Sequence, residues 1–403
     1  MNKLFICFIS ALDFRRINPE HTPFLFKSLN LYPWAKINTF PEVDLEPTIF
    51  TGVYPHQHGI WQVRLKDYKD SSLLQRIIDN MPDIITTTFQ CLIHLFTGSF
   101  DLASVPPWRR GRFEINKTRY VARNVTNFLR LNGIETIFSL VGEKESNLIY
   151  NRKLDELSSL FPKLFSLNYR LEFLHIHSLD TLQHWNLDDP NRFTKFCTKI
   201  DSFVQELHSK CNDKGITMIL LSDHGQEPVK GSIDIVKELN KLRIPRSEYT
   251  YYIEASKARF YFHTDRARER ILALLSSIQH GTILSYKDMH KYNVKFEDIS
   301  YGEYYIILDP GYIFSPNDYY HTLGNIFLGL ADWQQRSRLT SPKYRGYHGY
   351  LPHNESEKGL MILLDYHYKM KRHEIDIVDV APSLLGLLGL KKPDFMVGQN
   401  VFE

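Results

Sequence analysis

The sequence predicts an α/β fold in which a doubly wound, mostly parallel sheet is sandwiched by helices and carries an inserted α+β cap. Three observations predict it. An apolar run at 4–10 is followed by a loop and by a helix signal at 22–29. Two further apolar runs, 171–177 and 216–222, flank an amphipathic helix at about 190–210, which makes a βαβ unit. Alternation of strands and helices in this order is typical of parallel sheets.

Further elements follow from the same kinds of signal. Pro47 follows acidic residues in the sequence, and Gly52 follows apolar residues. This pattern predicts a short helix. Alternating residues at 258–263 predict a strand. The other expected elements are strands at about 35–40, 304–308 and 359–364, and helices near 265–279 and 377–389.

The length of 403 residues suits one domain spanning 1–403 with insertions in it. The periodicity weakens at about 64–170, where an apolar stretch precedes a basic segment from Trp108 to Arg123. For the apolar stretch, the alternatives are helices packed over the core and a lid. For the basic segment, they are a solvated helix face and a rim that collects anions. At about 226–340, strands and helices in mixed order predict the α+β cap.

The composition excludes several classes of protein. Hydrophobic residues make up 43% and charged residues 24%, which are ordinary globular values. The net charge of +3 and pI near 8.4 are too mild to indicate a nucleic-acid-binding protein. The 4 cysteines are dispersed, which favours a reducing compartment. Since the N-terminal apolar run lacks a convincing cleavage site and no run approaches a membrane span, we expect a cytoplasmic protein without a transmembrane segment.

Five residues at expected strand ends or in loops have side chains that bind metals. Asp180 and His184 follow the first strand of the βαβ unit and are one helical turn apart. Asp223 and His224 follow its second strand. His348 lies in a glycine-containing loop, where small neighbours allow a ligand to approach the backbone closely. Asp and His together favour zinc or manganese over magnesium.

These residues belong to a longer series of motifs. The series runs in order through 47–60, which ends in His58-Gly59-Ile60, then 180–184, 222–225 and 348–350. In this order and combination the chain resembles the alkaline phosphatase superfamily, and its type I phosphodiesterase/nucleotide pyrophosphatase branch in particular. The resemblance covers most of the chain outside 64–170. It implies an alkaline phosphatase-like fold and a hydrolase with two metal ions.

The resemblance also implies which residues bind the metals. One ion would be held by Asp180, His184 and His348. The other would be held by Asp223, His224 and a carboxylate after strand one, with a Thr or Ser at a helix start as nucleophile. Two divalent cations, zinc or alternatively manganese, can stabilise the attacking and leaving oxygens of phosphoryl or sulfuryl transfer and can lower the pKa of the nucleophile.

The carboxylate after strand one departs from the family pattern. One register assigns it to Asp13, which would then be a metal ligand. Another register puts Ser10 at that position.

The nucleophile departs from the pattern as well. At the family spacing, the nucleophile position before Thr51 falls on Glu42. Thr39 begins a segment that resembles the nucleophile motif, but it lies three residues too early in the chain. Thr48 would lie in the first turn of a helix beginning at Pro47, and we prefer it as nucleophile. Asp44 is an alternative for that role and is otherwise a possible metal ligand.

The leading hypothesis is a metal-dependent hydrolase of phosphate diesters, phosphate monoesters or sulfate esters. Its substrate would be a small molecule or a glycan- or lipid-linked ester. One alternative is a protein of the same fold that has lost turnover and binds a metal or an anion, and another is transfer of a phospho group to an alcohol. Five ligands kept in family order favour an enzyme, because buried Asp and His are costly without a metal.

Overall fold

The computed structural model describes residues 2–41, 44–61, 63–65, 104–115, 130–131, 133–165, 168–317, 333–365 and 367–403, with isolated residues near 77–88 and 325–330. The chain divides into two compact units. The first comprises Met1–Ile60, Lys117–Glu227 and Pro352–Glu403, and the second comprises Trp61–Asn116 and Pro228–Leu351. The predicted insertion at about 64–170 is therefore shared by both units, and the predicted cap at about 226–340 falls almost entirely in the second.

The strands and helices are numbered along the described chain. The strands are β1 (Leu4–Ile9), β2 (Trp34–Asn38), β3 (Val63–Leu65), β4 (Phe113–Ile115), β5 (Arg130–Leu131), β6 (Ile134–Glu135), β7 (Ser146–Asn151), β8 (Leu171–Ile176), β9 (Thr217–Ser222), β10 (Glu227–Pro228), β11 (Gly231–Ile233), β12 (Tyr249–Ile253), β13 (Lys257–Phe262), β14 (Gly281–Ser285), β15 (Tyr304–Leu308), β16 (Tyr312–Phe314), β17 (Gly346–Tyr347), β18 (Gly359–Leu363) and β19 (Glu374–Asp376). The α-helices are α1 (Pro23–Leu31), α2 (Glu46–Thr51), α3 (Pro55–His58), α4 (Ile137–Val141), α5 (Ser178–Asn186), α6 (Pro190–Asp213), α7 (Ile235–Lys241), α8 (Asp265–Ser276) and α9 (Val380–Leu387). Short 3-10 helices include Phe14–Arg16, Pro107–Arg112, Glu355–Glu357 and Ile377–Asp379.

A seven-stranded sheet forms the centre of the first unit, in the order β19-β2-β18-β9-β1-β8-β7. Strand β1 is parallel to both β8 and β9, β7 is parallel to β8, and β19 is parallel to β2. Strand β18 is antiparallel to both of its neighbours, with Leu360 opposite Ser222. The predicted mostly parallel α/β sheet is thus confirmed. The direction of β18 could not be predicted, because a fully buried apolar run has the same pattern in either direction.

Alternate side chains of β1 contact helices on opposite faces of the sheet. Phe5, Cys7 and Ile9 lie in a buried cluster with residues of α1, α5 and α6. Phe8 instead packs against Phe173, the two ring centroids being 5.8 Å apart, and the aromatic contacts continue to α2 and α4. Because successive side chains point to opposite faces of the sheet, the register of the strand determines on which face the polar residues at its end lie.

The second unit has its own core around the antiparallel sheet β12-β13-β15-β14, against which α7 and α8 pack. The predicted basic segment enters this unit. There the buried Arg109 donates to the carbonyl of Arg246, and Arg110 Nε donates to the carbonyl of Val105 at 3.2 Å. Both guanidinium groups therefore stabilise the fold, while 117–123 lie outside the described residues. In the described part of the chain, none of the helices has the length and apolar character needed to span a bilayer.

Candidate metal centre

The first ligand pair predicted from the sequence lies at the start of α5. Strand β8 ends at Ile176, and two residues later the chain turns helical. Asp180 in the first turn and His184 in the next are on one face of the helix, with Asp180 Oδ1 3.4 Å from His184 Nε2. The four-residue spacing therefore gives the one-turn juxtaposition that the sequence predicts.

The second pair follows β9 directly. Asp223 Oδ1 accepts hydrogen bonds from the backbone N–H groups of Ala11 and His224, both at 3.0 Å. His224 Nδ1 donates to the carbonyl of Gly225 at 2.9 Å, because a carbonyl can only accept. In the neutral ring Nε2 therefore carries a lone pair, and it lies 3.3 Å from Asp223 Oδ2. A backbone acceptor that fixes the tautomer in this way is the usual support of a metal-binding histidine.

The two pairs come together at the carboxyl edge of the sheet. A carboxylate oxygen of Asp180 and a ring nitrogen of His224 lie within 4.8 Å of each other. Gln226, two residues after His224, holds Asp180, since its Nε2 donates to Asp180 Oδ1 at 2.6 Å and to the carbonyl of Asp180 at 3.1 Å. Gln226 was not singled out from the sequence, although it follows the Asp223–Gly225 motif by one residue.

The charges of this edge fit a bound divalent cation. Asp223, Asp180 and His224 are buried. Burial raises the pKa of Asp223, while the carboxylates of Asp223, Asp180 and Glu357 outweigh the effect of burial on His224 and raise the pKa of that ring. Several buried carboxylates in one place are costly unless a cation neutralises them. Carboxylate oxygens and imidazole nitrogens are the donors that zinc and manganese accept.

The predicted ligand Asp13 is differently engaged. Arg15 donates from Nε and Nη2 to its carboxylate at 2.9 and 2.6 Å, and Arg16 Nε lies 3.5 Å away. The carboxylate also accepts from the backbone N–H of Arg15 and so caps the 3-10 helix. Asp13 thus pairs with two guanidinium groups, of which that of Arg15 also pairs with Glu227 at 2.5 Å. The role of Asp13 as a metal ligand stays a prediction. The alternative position, Ser10, is buried with its Oγ 2.9 Å from His175 Nε2.

Thr48 is a buried residue of α2. Its side chain is 1% exposed, and its Oγ1 lies 3.0 Å from His58 Nε2. Burial lowers the pKa of His58 to about 3, so the ring is neutral. His58 Nδ1 accepts from the backbone N–H of Ile60 at 3.2 Å, which leaves the ring proton on Nε2. His58 therefore donates to Thr48 and cannot act as its general base, which argues against our preferred nucleophile.

The other hydroxyls of this segment are bonded within the fold too. Thr39 Oγ1 donates to the carbonyl of Glu357 at 2.7 Å, and Thr51 Oγ1 donates to that of Pro47 at 2.6 Å. Glu42, reached by the family spacing, lies outside the described residues.

Two carboxylates lie at the start of α2. The side chains of Asp44 and Glu46 hydrogen-bond to each other, and Glu46 Oε1 is 3.9 Å from His175 Nε2. Burial, then Asp44 and then Asp223, raise the pKa of Glu46 well above its ordinary value. The sequence indicates Asp44 as a candidate, whereas the position of Glu46 before Pro47 indicates only the start of a helix.

Replacing Thr48 by alanine is expected to lower stability rather than activity. The substitution removes the buried hydrogen bond between Thr48 and His58, which costs about 1–3 kcal/mol in the free energy of unfolding. Urea unfolding measures this loss, with Thr198→Ala as control, because Thr198 is an exposed helical threonine that bonds a backbone carbonyl. A large loss of kcat at unchanged stability would restore Thr48 as nucleophile.

His348 belongs to the second unit. It is buried and follows β17, and its ring stacks on that of Tyr347 with centroids 5.5 Å apart. The next residue, Gly349, has a φ of +83°, and its carbonyl accepts from Ser256 Oγ at 3.1 Å. The loop conformation thus depends on glycine, as the sequence suggests. The assignment of His348 as a metal ligand rests on the sequence resemblance and stays a prediction.

The chain is similar to known proteins in its fold and in its sequence profile. Murine ectonucleotide pyrophosphatase/phosphodiesterase 5 has a similar fold, with a TM-score of 0.60 at 14% identity over 100% of both chains. An inactive variant of that murine protein in complex with AMP gives the same values. The human protein of that name matches with a TM-score of 0.60 at 14% identity, over 98% of this chain and 96% of its own.

None of the curated protein sequences is significantly similar. The sequence profile of type I phosphodiesterase/nucleotide pyrophosphatase matches residues 15–351. This match spans most of the chain, which therefore belongs to the type I phosphodiesterase/nucleotide pyrophosphatase family of hydrolases.

Proposed function

We propose that the protein is a metal-dependent phosphodiesterase that hydrolyses phosphate esters of the nucleotide type. The observation that carries the proposal is the convergence of Asp180 and His184 with Asp223 and His224 at one sheet edge. The family assignment supports the ester class. The AMP complex of the murine relative supports a nucleotide-like substrate.

The donor groups of this edge would hold divalent metal ions, zinc or alternatively manganese. Such ions, when bound, supply Lewis-acid stabilisation of charge on the attacking and leaving oxygens. The protein's own groups hold the ligands in place. The N–H of Ala11 fixes Asp223, the carbonyl of Gly225 orients the ring of His224, and Gln226 fixes Asp180. Preorganisation of this kind removes the cost of arranging charged ligands during reaction.

A second candidate function is a binding protein of the same fold without turnover. The engagement of Asp13 by two arginines and of Thr48 by His58 favours it, because Asp13 is the candidate ligand after strand one and Thr48 is our preferred nucleophile. Transfer of the phospho group to an alcohol and hydrolysis of sulfate esters are further variants of the same chemistry, separated by substrate tests.

Removal of metal is expected to abolish phosphodiesterase activity reversibly. Protein treated with a chelator and dialysed should lose turnover of bis-p-nitrophenyl phosphate and regain it with zinc or manganese. Parallel assays with p-nitrophenyl phosphate and p-nitrophenyl sulfate rank the ester classes, and added alcohol tests for transfer. Metal bound without turnover on any of these esters would favour the binding protein, and absence of both metal binding and activity would contradict the proposal.

We also propose that the protein acts in the cytoplasm. The proposal rests on the dispersed cysteines of the sequence. Of these, Cys7, Cys197 and Cys211 are buried free thiols. Fractionation of cells producing the full-length chain would test it, and recovery outside the cytoplasmic fraction would contradict it.

A further inference from the structure

A turn directly after β1 joins the elements that carry the two ligand pairs. Ala11 in this turn has a φ of +60°, in the left-handed region that residues with a Cβ atom rarely adopt. Its N–H donates to Asp223 Oδ1 at 3.0 Å, and its carbonyl accepts from Gln183 Nε2 at 2.7 Å. Gln183 lies in α5 and directly precedes His184. Ala11 thus connects the second ligand pair with the helix that carries the first.

A second buried glutamine holds the first ligand pair from the loop after β9. Gln226 Nε2 donates to the carboxylate and to the backbone carbonyl of Asp180, at 2.6 and 3.1 Å. These partners are acceptors, as is the partner of Gln183, so each amide group has only one orientation that fits. Helix α5 is therefore tied to the end of β1 by Gln183 and to the loop after β9 by Gln226.

The two amides have a cost that their surroundings do not offset. Gln183 is 2% exposed, and Gln226 is fully buried. In the part of the chain that the structure describes, Oε1 of each side chain has no hydrogen-bond partner. A buried acceptor without a partner destabilises the fold. Because apolar side chains would avoid this cost, the donor side of each amide indicates a role in holding the groups that it bonds.

We propose that Gln183, acting through Ala11, and Gln226 are positioning residues that fix the first ligand pair relative to the second. This inference rests on the metal dependence in the proposed function and goes beyond it, because neither glutamine is a candidate ligand. Groups that orient metal ligands by hydrogen bonds influence the affinity for the metal. A displacement of Asp223 is transmitted through the two peptide groups that flank Ala11 to the residue next to His184.

The same helix provides a matched control. Asn186 is also buried in α5, where its Nδ2 donates to the carbonyl of Leu182 at 2.9 Å. Its Oδ1 accepts from Arg192 Nη1 at 2.8 Å. These hydrogen bonds reach neither ligand pair. Gln183→Met and Asn186→Leu each remove a buried amide from α5 and keep the approximate size of the side chain. Both should lower stability, and only Gln183→Met should disturb the ligands.

The test measures binding of zinc and manganese to the full-length protein by calorimetry, and the absorption spectrum of the protein loaded with cobalt. Gln183→Met and Gln226→Met are each expected to weaken cation binding by about 10–100-fold. Each should also shift the cobalt absorption bands, which report the geometry of the donors. Asn186→Leu should lower the melting temperature of the metal-free protein and keep the affinity and the cobalt spectrum of the wild type.

A double-mutant cycle tests the connection through Ala11. Asp223→Ala removes the acceptor that holds the N–H of Ala11. Gln183→Met should therefore weaken binding of the remaining cation less in the Asp223→Ala background than in the wild-type background. Equal effects in the two backgrounds would contradict the connection through Ala11.

Two further results would overturn the inference. Wild-type affinity and spectrum in both glutamine variants, with metal bound by the wild type, would reject the positioning role and leave the proposed function standing. Equal losses of affinity in Gln183→Met and Asn186→Leu would show general destabilisation of α5 instead. Failure of the wild type to bind zinc, manganese or cobalt would reject the proposed function itself. If the methionine variants do not fold, Gln183→Asn and Gln226→Asn, which keep the amide and shorten its reach, take their place with the same expected losses.

Discussion

Replacement of Asp223 by asparagine is expected to lower kcat for phosphodiester hydrolysis by about a thousandfold, equivalent to about 4 kcal/mol of transition-state stabilisation. Asparagine keeps the size of the side chain and an oxygen that can accept from Ala11 N–H. It removes the negative charge that pairs with a cation and with His224. The loss should therefore appear in kcat and in metal content, while the fold stays intact.

A second buried aspartate provides the control. Asp201 accepts from the backbone N–H groups of Phe24 at 3.1 Å and Leu25 at 2.8 Å, and so supports the start of α1. Asp201→Asn should lower the melting temperature and leave kcat within about threefold, which is under about 0.7 kcal/mol. Steady-state kinetics and circular dichroism compare the two variants. Normal turnover by Asp223→Asn would show that this sheet edge is not the reactive site.

The sheet and the positions of the first candidate ligands are predictable because their signals are local. A buried strand is an uninterrupted apolar run, and the residue at its end is fixed by where the run stops, as at Asp223. The spacing of Asp180 and His184 needs only one helical turn. Neither inference depends on distant parts of the chain.

Long-range relations account for what the sequence does not reveal. Glu46 lies near His175 only because the path of the chain before α2 brings it there. Thr48 accepts a hydrogen bond from a histidine ten residues further on, a contact that the helix signal at Pro47 does not reveal. A short-range relation matters as well, since Asp13 pairs with an arginine only two residues away. Charge pairing competes with metal binding, and residue type alone does not reveal which prevails.

Hydrolysis of a chiral phosphorothioate diester in isotopically labelled water is expected to invert the configuration at phosphorus. In the described part of the segment that should hold the nucleophile, the hydroxyls of Thr39, Thr48 and Thr51 are all bonded within the fold. Water would then attack directly. Its oxygen bonds to phosphorus as the bond to the leaving oxygen breaks, one water proton passes to solvent, and the leaving alkoxide takes up a proton. One displacement inverts the centre, whereas a covalent enzyme intermediate requires two and retains it.

Product configuration, read by phosphorus NMR, separates these two routes completely. Thr39→Ala and Thr48→Ala should both keep kcat within about threefold, which is under about 0.7 kcal/mol, because neither hydroxyl attacks. Retention would contradict direct attack and would direct the search to Ser10, whose Oγ is 2.9 Å from His175 Nε2 in a nucleophile–base arrangement, or to Glu42. Trapping the intermediate and mapping the modified peptide would then distinguish these two residues. Inversion together with active threonine variants would establish that this chain hydrolyses its substrate without the hydroxyl nucleophile that the resemblance implies.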